Sequence, residues 1–293
     1  MKIFFKILFI VIIVMLLDLL RYIIYPDVSS LKKNNPELSA FMKYREAQWA
    51  DENRDIKINK KWVSIKQISP NLIKAVLIGE DDGFYKHDGF DVKGMENALE
   101  RSMKNGTLAG GSTISQQLSK NLYLSPSKNP IRKIKEAIIT YRIEKTLSKR
   151  RILEIYLNVA EWGDGIFGIE AAAHHYYGKS AKNLSAQEAA HLAAILPNPI
   201  KYSPLGDQKY VKYRSAIIYK IMIRRGVVLQ SFKEVMTPPK KDEIPEDEMK
   251  QDGNLSDQNK DDTKVQNVDQ NSSEKTLSGE TRPDMQVPVE DEK

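Results

Sequence analysis

The sequence contains no cysteine in its 293 residues. This absence excludes disulfide bonds, thiolate metal sites and a cysteine nucleophile, and it is compatible with an oxidising compartment without establishing one. Histidine is also scarce, with four residues in the chain. The adjacent pair His174 and His175 lacks the helical spacing of metal ligands, so we interpret both as packing or surface residues and predict no metal site.

Motifs for nucleotides and nucleic acids are missing as well. A Walker loop needs a lysine directly after its second glycine, and this chain has Ser112 after Gly111. We find no zinc-finger or recognition-helix pattern, and the basic residues are not interleaved with aromatic ones as on a single-strand platform. The sequence therefore argues against nucleic acid as a partner.

The C-terminal segment lacks aromatic residues. Residues 242–293 contain sixteen acidic against six basic side chains, a net charge of −10, among many Asn, Gln and Ser. Such a segment cannot bury enough apolar surface to offset its ordering entropy, so we predict a disordered acidic tail over residues 238–293, beginning at Pro238-Pro239. The chain as a whole has a charge of +6, which leaves +16 on residues 1–241. A basic body indicates an anionic partner, such as phosphate groups or lipid headgroups.

The N-terminus is a long apolar run from Ile3 to Tyr25, interrupted only by Lys6, Asp18 and Arg21. Because about 20 apolar residues cross a bilayer, we predict a retained membrane anchor over residues 1–25. A cleaved signal peptide is the alternative, but the run exceeds a usual h-region and no small-x-small site follows it. Basic residues flank the run on both sides, so their distribution does not decide the orientation.

The rest of the chain divides into a connector and a domain. Residues 26–60 are polar, and we predict an irregular membrane-proximal connector with a short helix around residues 36–49. Residues 61–230 show mainly helical periodicity with few alternating runs, which predicts a mainly α domain.

Glu80 follows the segment NLIKAVLIG, whose apolar residues have helical spacing. We therefore place Glu80 at the C-terminal end of a buried helix, where the helix dipole and apolar surroundings both raise the pKa of a carboxyl group. A raised pKa suits a general base. From this segment alone, a solvated acid at a helix end is an equally good interpretation.

The segment 106–124, GTLAGGSTISQQLSKNLYL, predicts a glycine turn and then a helix that Ser112 or Thr113 can cap. One face is apolar, and the other carries Thr113, Gln116 and Lys120 at i, i+3 and i+7. These side chains suit a polyoxygenated ligand about as well as they suit a solvated face. In the next segment Arg132, Lys133 and Glu136 can address one side of a helix, although spacing alone favours an ordinary surface ion pair.

Four motifs together resemble a known family. They are EDDGFYKHDGFD, GGSTISQQLSKNLYL, RKIKEAIITYRIEKTLSKRRILEIYLN, and the run GDGIFGIEAAAHHYYGK with LSAQEAAHLAAILPNP. Their order and spacing across residues 69–199 resemble the peptidoglycan glycosyltransferases of glycosyltransferase family 51. Because the chain stops soon afterwards, it resembles the monofunctional biosynthetic type of Gram-negative bacteria.

The resemblance implies a lysozyme-like, mainly α fold and the polymerisation of lipid II into β-1,4 glycan strands. It implies a bacterial inner-membrane protein with a cytoplasmic N-terminus and a periplasmic domain. Its partners would be lipid II, the growing lipid-linked chain, the membrane and other cell-wall synthesis or division proteins. No tightly bound cofactor is implied, although Mg²⁺ or Mn²⁺ could take part.

The resemblance also assigns residues. Glu80 matches the catalytic glutamate that deprotonates the acceptor hydroxyl, and Glu136 matches a second catalytic glutamate on the donor side. The matching substrate-binding positions are Asp81, Phe84, His87, Ser112, Thr113, Gln116, Gln117, Lys120, Arg132 and Lys133. One departure is Lys128, where the family pattern leads us to expect arginine. The positive charge is kept there, but the bidentate guanidinium is lost.

Three alternatives remain open at this point. A lysozyme-like hydrolase or lytic transglycosylase would also use carboxyl groups, but it needs neither the basic residues nor the membrane span. An inactive lipid II-binding scaffold is a second alternative. A bifunctional penicillin-binding protein needs a transpeptidase domain, and the SPSK match at Ser125–Lys128 has no KTG partner.

Overall fold

The computed structural model describes residues 2–96, 111–126 and 129–227. The acidic tail predicted over residues 238–293 and Lys128 lie outside these ranges. The helices whose full extent is described are α1 (Lys2–Arg21), α2 (Ala40–Asp51), α3 (Pro70–Glu80), α4 (Ile114–Tyr123), α5 (Pro130–Thr146), α6 (Lys149–Val159), α7 (Ile169–Tyr177), α8 (Ala186–Ile195) and α9 (Lys209–Arg224). The mainly α class predicted from periodicity is confirmed.

The first helix, α1, has 20 residues and no buried side chain. At 1.5 Å per residue it is about 30 Å long, which matches the hydrocarbon thickness of a bilayer. It is long and apolar enough to cross a membrane once. The helix ends at Arg21, so the last residues of the predicted 1–25 anchor form a turn rather than part of the span.

The predicted connector contains more ordered structure than its polar composition indicated. Helix α2 begins after Ser39, whose side chain caps it, and it buries Met42 and Trp49. The Trp49 indole N–H donates to Asp164 Oδ1 at 3.1 Å, and Arg45 donates to both carboxylate oxygens of Glu161 at 2.8 Å. The short helix predicted around residues 36–49 is therefore present as α2, and two large apolar side chains one heptad apart suffice to dock it on the core.

The core is formed by helices that pack at close range. Helix α8 contacts both α3 and α9, and α4 contacts both α5 and α6. The buried face of α8 is rich in alanine, including Ala189, Ala190, Ala193 and Ala194. Small side chains allow neighbouring backbones to approach closely, so α3, which ends at Glu80, lies near α9.

A small three-stranded sheet lies beside the helices, with strands β1 (Asn59–Lys60), β2 (Glu161–Gly163) and β3 (Ile166–Phe167) in the order β1-β3-β2. Strand β3 pairs parallel to β1 and antiparallel to β2. After β3, Gly168 has φ +80° and ψ 147°, and a Cβ at this position would lie 2.7 Å from the Asn158 carbonyl oxygen. This turn directs the chain from the sheet into α7.

Candidate functional site

Glu80 is the last residue of α3, and its side chain is 8% exposed. One carboxylate oxygen accepts from the Gln117 amide at 2.9 Å, and the other accepts from the Arg214 guanidinium at 2.9 Å. Burial raises the pKa of Glu80 above its usual value, while Gln117, Arg214 and Lys120 act in the opposite direction. The predicted position at a helix end is confirmed, and burial acts on the pKa in the predicted direction.

Gln117 links Glu80 to a buried tyrosine. The Tyr156 hydroxyl donates to the Gln117 side-chain oxygen at 3.0 Å. This bond fixes the amide so that its NH₂ group points to Glu80. Burial raises the pKa of Tyr156 well above its usual value, so the phenol stays a neutral donor.

Arg214 approaches Glu80 from α9. The same nitrogen also donates to the Gly79 carbonyl oxygen at 2.6 Å, which holds the guanidinium against the last turn of α3. A Cβ at Gly79 would lie 3.2 Å from Ile218 and 3.7 Å from Arg214. Glycine at this position therefore permits the close approach of α9 that the ion pair requires.

Glu136 forms a second acidic centre, on α5. Its side chain is 3% exposed, and it accepts from Arg132 at 2.6 Å and from the Lys133 ammonium through its other oxygen. Spacing alone favoured a surface ion pair, and the structure differs because α5 packs this side against α4. Ser119 of α4 shares a 2.7 Å hydrogen bond with Thr140, one turn further along α5.

The Lys120 ammonium interacts electrostatically with both acidic centres, Glu136 and Glu80. Burial lowers its pKa, Arg132 and Lys133 act in the same direction, and Glu136 and Glu80 oppose them. Within the described residues, its ammonium has no hydrogen-bond acceptor. A partly buried cation without an acceptor can bind an anionic ligand that brings its own oxygen atoms.

Asp81, His87 and Phe84 lie behind the site and support it. The Asp81 carboxylate bonds to His87 Nε2 at 2.9 Å and accepts from the Ile114 backbone N–H at 2.9 Å. Because the Gly89 N–H donates to His87 Nδ1, the proton of a neutral imidazole lies on Nε2 and points to Asp81. Phe84 is fully buried. These residues attach the loop after α3 to the start of α4.

The start of α4 is held by a capping box. Thr113 accepts from the Gln116 backbone N–H, and the Gln116 side-chain oxygen accepts from the Thr113 backbone N–H at 3.0 Å. Both residues are buried, and their side-chain oxygens accept hydrogen bonds from the backbone at the start of α4. The side chain that contacts Glu80 is Gln117. Ser112 is exposed and lies 3.4 Å from the Lys133 ammonium, which brings the second and third motifs together.

Sequence reasoning missed two residues at Glu80, Tyr156 and Arg214. Arg214 could have been found from the sequence, because it lies on the apolar side of α9. The buried residues of that helix are Val211, Ser215, Ile218 and Met222. A charged residue on an apolar stripe is rarely buried without a partner. Tyr156 gave no such signal, since a tyrosine in ILEIYLN resembles an ordinary core residue.

No cluster of three metal-binding side chains occurs in residues 2–96, 111–126 and 129–227. The charged groups of the site instead form an acid at Glu80 and a mixed set of Glu136, Lys120, Arg132 and Lys133. Glu80 can accept a proton, and the cations Lys120, Arg132 and Lys133 can bind an anion.

Comparisons with known proteins agree with this geometry. A family model described as transglycosylase matches residues 48–223, a range that includes Glu80, Glu136 and Arg214. A biosynthetic peptidoglycan transglycosylase of Laribacter hongkongensis is 46% identical over 200 residues, 68% of this chain and 88% of that protein. The protein of that name from Azoarcus sp. is 51% identical over 180 residues, 61% of this chain and 78% of its own length.

A third relative extends the similarity to nearly a whole protein. The biosynthetic peptidoglycan transglycosylase of Herminiimonas arsenicoxydans is 44% identical over 225 residues, which cover 76% of this chain and 97% of that protein. The resemblance carried by the four motifs is thereby confirmed, and the chain belongs to the transglycosylase family.

Proposed function

We propose that this peptidoglycan glycosyltransferase polymerises lipid II into β-1,4-linked glycan strands. In the proposed reaction Glu80 accepts the proton of the acceptor 4-hydroxyl as the oxygen attacks C1 of the lipid-linked chain. The new C1–O bond replaces the bond from C1 to the pyrophosphate, with inversion, and undecaprenyl pyrophosphate leaves. The reaction joins two sugars without water as a reactant.

The surroundings of Glu80 support its role as the base. Burial raises the pKa of this carboxyl group, which strengthens it as a proton acceptor. The Arg214 cation keeps it ionised when no proton has been transferred. The Gln117 amide donates to one carboxylate oxygen of Glu80, and Tyr156 holds that amide in place. Arg214 donates to the other oxygen, so the carboxylate has a fixed orientation.

The basic residues support a pyrophosphate leaving group, because departure of that group concentrates negative charge. The observation that carries the proposal is the position of Lys120, a partly buried ammonium within electrostatic range of both Glu80 and Glu136. In this account Lys120, Arg132 and Lys133 bind the pyrophosphate, and Glu136 orients the last two. These side-chain cations can stabilise the leaving group without a resident cofactor. Whether Mg²⁺ or Mn²⁺ also contributes is tested by measuring the polymerisation rate during an EDTA titration.

The proposed substrate also sets the location. Lipid II is polymerised at the outer face of the cytoplasmic membrane, so α1 crosses the inner membrane with its N-terminus in the cytoplasm and the catalytic domain in the periplasm. The apolar length of α1 supports a single crossing. Other cell-wall synthesis or division proteins are the partners that fit this location, and nucleic acid is not.

The test uses the full chain in detergent with fluorescent lipid II and Mg²⁺, and resolves the products by size. The proposal predicts a ladder of long products that a muramidase digests to disaccharide units. Release of fluorescent material from preformed glycan, with no polymer from lipid II, would instead identify a hydrolase. Binding of lipid II without turnover would identify a scaffold.

A further inference from the structure

Helix α5 carries functional groups on one side and contacts α1 through another. Arg132, Lys133 and Glu136 belong to the candidate site. Lys135 and Arg142 are seven residues apart, so they lie on nearly the same face of the helix. Both side chains reach the end of the apolar N-terminal helix or the turn that follows it.

Arg142 binds the chain directly after α1 ends. Its guanidinium donates to the carbonyl oxygens of Tyr22 at 3.0 Å, Ile24 at 2.6 Å and Pro26 at 2.8 Å. Carbonyl groups beyond a helix C-terminus have no intrahelical donors, and a cation there is favoured by the helix dipole. One arginine thus satisfies three oxygens within five residues of chain.

Lys135 binds the last turn of α1 itself. Its ammonium forms an ion pair with Asp18 and lies 4.9 Å from the centre of the Tyr22 ring. An acidic residue near the end of a membrane span is costly without a partner. Asp18 pairs with Arg21 of α1 at 3.2 Å, and Lys135 adds a second cation, supplied by the catalytic domain.

A second arginine holds the chain a few residues further on. Arg151 of α6 donates to the carbonyl oxygens of Leu31 at 2.8 Å and Asn34 at 2.9 Å, and to the Asn35 side chain at 2.8 Å. Residues 18–35 are therefore bonded to α5 and then to α6. A flexible tether would leave its backbone carbonyls to water.

We propose that Lys135 and Arg142 are positioning residues that lock α1 onto α5 and thereby fix the height of the pyrophosphate-binding cations above the bilayer. Lys133 and Arg132 precede Lys135 by two and three residues, or about 3 and 4.5 Å along the helix axis. In this proposal the lock holds these cations near the end of the span, at the level where a lipid presents its phosphates. This inference rests on the proposed function, since only a lipid-linked substrate requires a fixed height.

The test compares one reaction in two settings. Full-length protein with Lys135→Gln and Arg142→Gln together is assayed on lipid II in vesicles and on a short-chain, water-soluble lipid II analogue. Loss of the lock should lower the rate in vesicles at least tenfold and change the rate on the soluble analogue less than twofold. The matched control is Lys145→Gln, which removes an exposed cation of α5 that stacks on Tyr141.

Either of two kinetic results would overturn the inference. Equal rates for variant and native protein in vesicles would mean that the lock is irrelevant, and an equal fall on both substrates would mean that it serves general stability. If the native protein used neither substrate, the proposed function would fail by itself.

The lock can also be tested without catalysis, because the chain has no cysteine and two can be introduced for spin labels. Labels at Leu20→Cys and Glu46→Cys should give a narrow distance distribution in vesicles. The distribution should broaden when Lys135 and Arg142 are both replaced by glutamine. An unchanged distribution in that variant would contradict the lock whatever the enzyme assay shows.

Discussion

Arg214 donates to Glu80 across 2.9 Å and ties α9 to the last residue of α3. The pair sets two opposing influences on one carboxyl group, since burial raises the pKa of Glu80 and the guanidinium lowers it. Burial makes Glu80 a stronger proton acceptor, and the ion pair with Arg214 keeps its carboxylate ionised before the reaction.

The pair predicts a shift in the pH dependence of the reaction. Glu80 acts as a base only when ionised, so activity is lost as the pH falls through its raised pKa. Arg214→Gln removes a cation that lowers this pKa, so the acidic limb of the pH–rate profile should move to higher pH. We expect the rate of the variant to fall most on the acidic side of the profile, by about tenfold or more, and to approach the native rate at alkaline pH.

The pH profile separates this effect from misfolding. Arg214→Lys keeps the charge and should return the acidic limb most of the way to its native position. A uniform fall of the Arg214→Gln rate at every pH, with the limb unmoved, would show that Arg214 only supports the structure.

Lys120 should matter for the leaving group. Lys120→Met keeps much of the apolar stem and removes the charge, so we expect the polymerisation rate to fall about 10²–10³-fold. Lys120→Arg should retain part of the activity. Binding of inorganic pyrophosphate, measured by calorimetry, should weaken in parallel. The control is Lys43→Met, which removes an exposed cation from α2. Native pyrophosphate binding in Lys120→Met would remove this residue from the anion site.

The turn at Gly168 gives a prediction about stability alone. Gly168→Ala places a Cβ 2.7 Å from the Asn158 carbonyl oxygen, in a backbone conformation that favours glycine. The free energy of unfolding should therefore fall by about 1–3 kcal/mol. Gly178 also has a positive φ, +64°, but a Cβ there meets nothing within 4 Å. Gly178→Ala should therefore cost only about 1 kcal/mol. Thermal unfolding of both variants measures the difference, and equal midpoints would refute the steric argument.

Local patterns predicted those parts of the site that depend on one helix. The apolar spacing of residues 72–77 placed Glu80 at the end of a buried helix, and the structure ends α3 there. The same kind of pattern gave α4 and its cap, since Thr113 precedes an amphipathic run. Periodicity and capping depend on neighbours in the chain, so the sequence contains the needed information.

Contacts between distant segments could not be read in this way. Arg214 lies 134 residues from Glu80, and nothing in α3 indicates which helix will face it. The burial of Glu136 depends on α4 packing against α5, so its own spacing suggested an ordinary surface pair. The docking of α2 depends on Trp49 meeting Asp164. In each case tertiary packing decided the environment of a side chain.

The most direct test of the central claim compares Glu80→Gln with native protein and with Glu46→Gln, an exposed replacement on α2. All three are incubated in detergent with fluorescent lipid II, and polymer formation and lipid II binding are measured on the same samples. Removal of the base should lower the polymerisation rate by about 10²–10⁴-fold, with binding retained and the control fully active. Polymerisation by Glu80→Gln at the native rate would contradict the account.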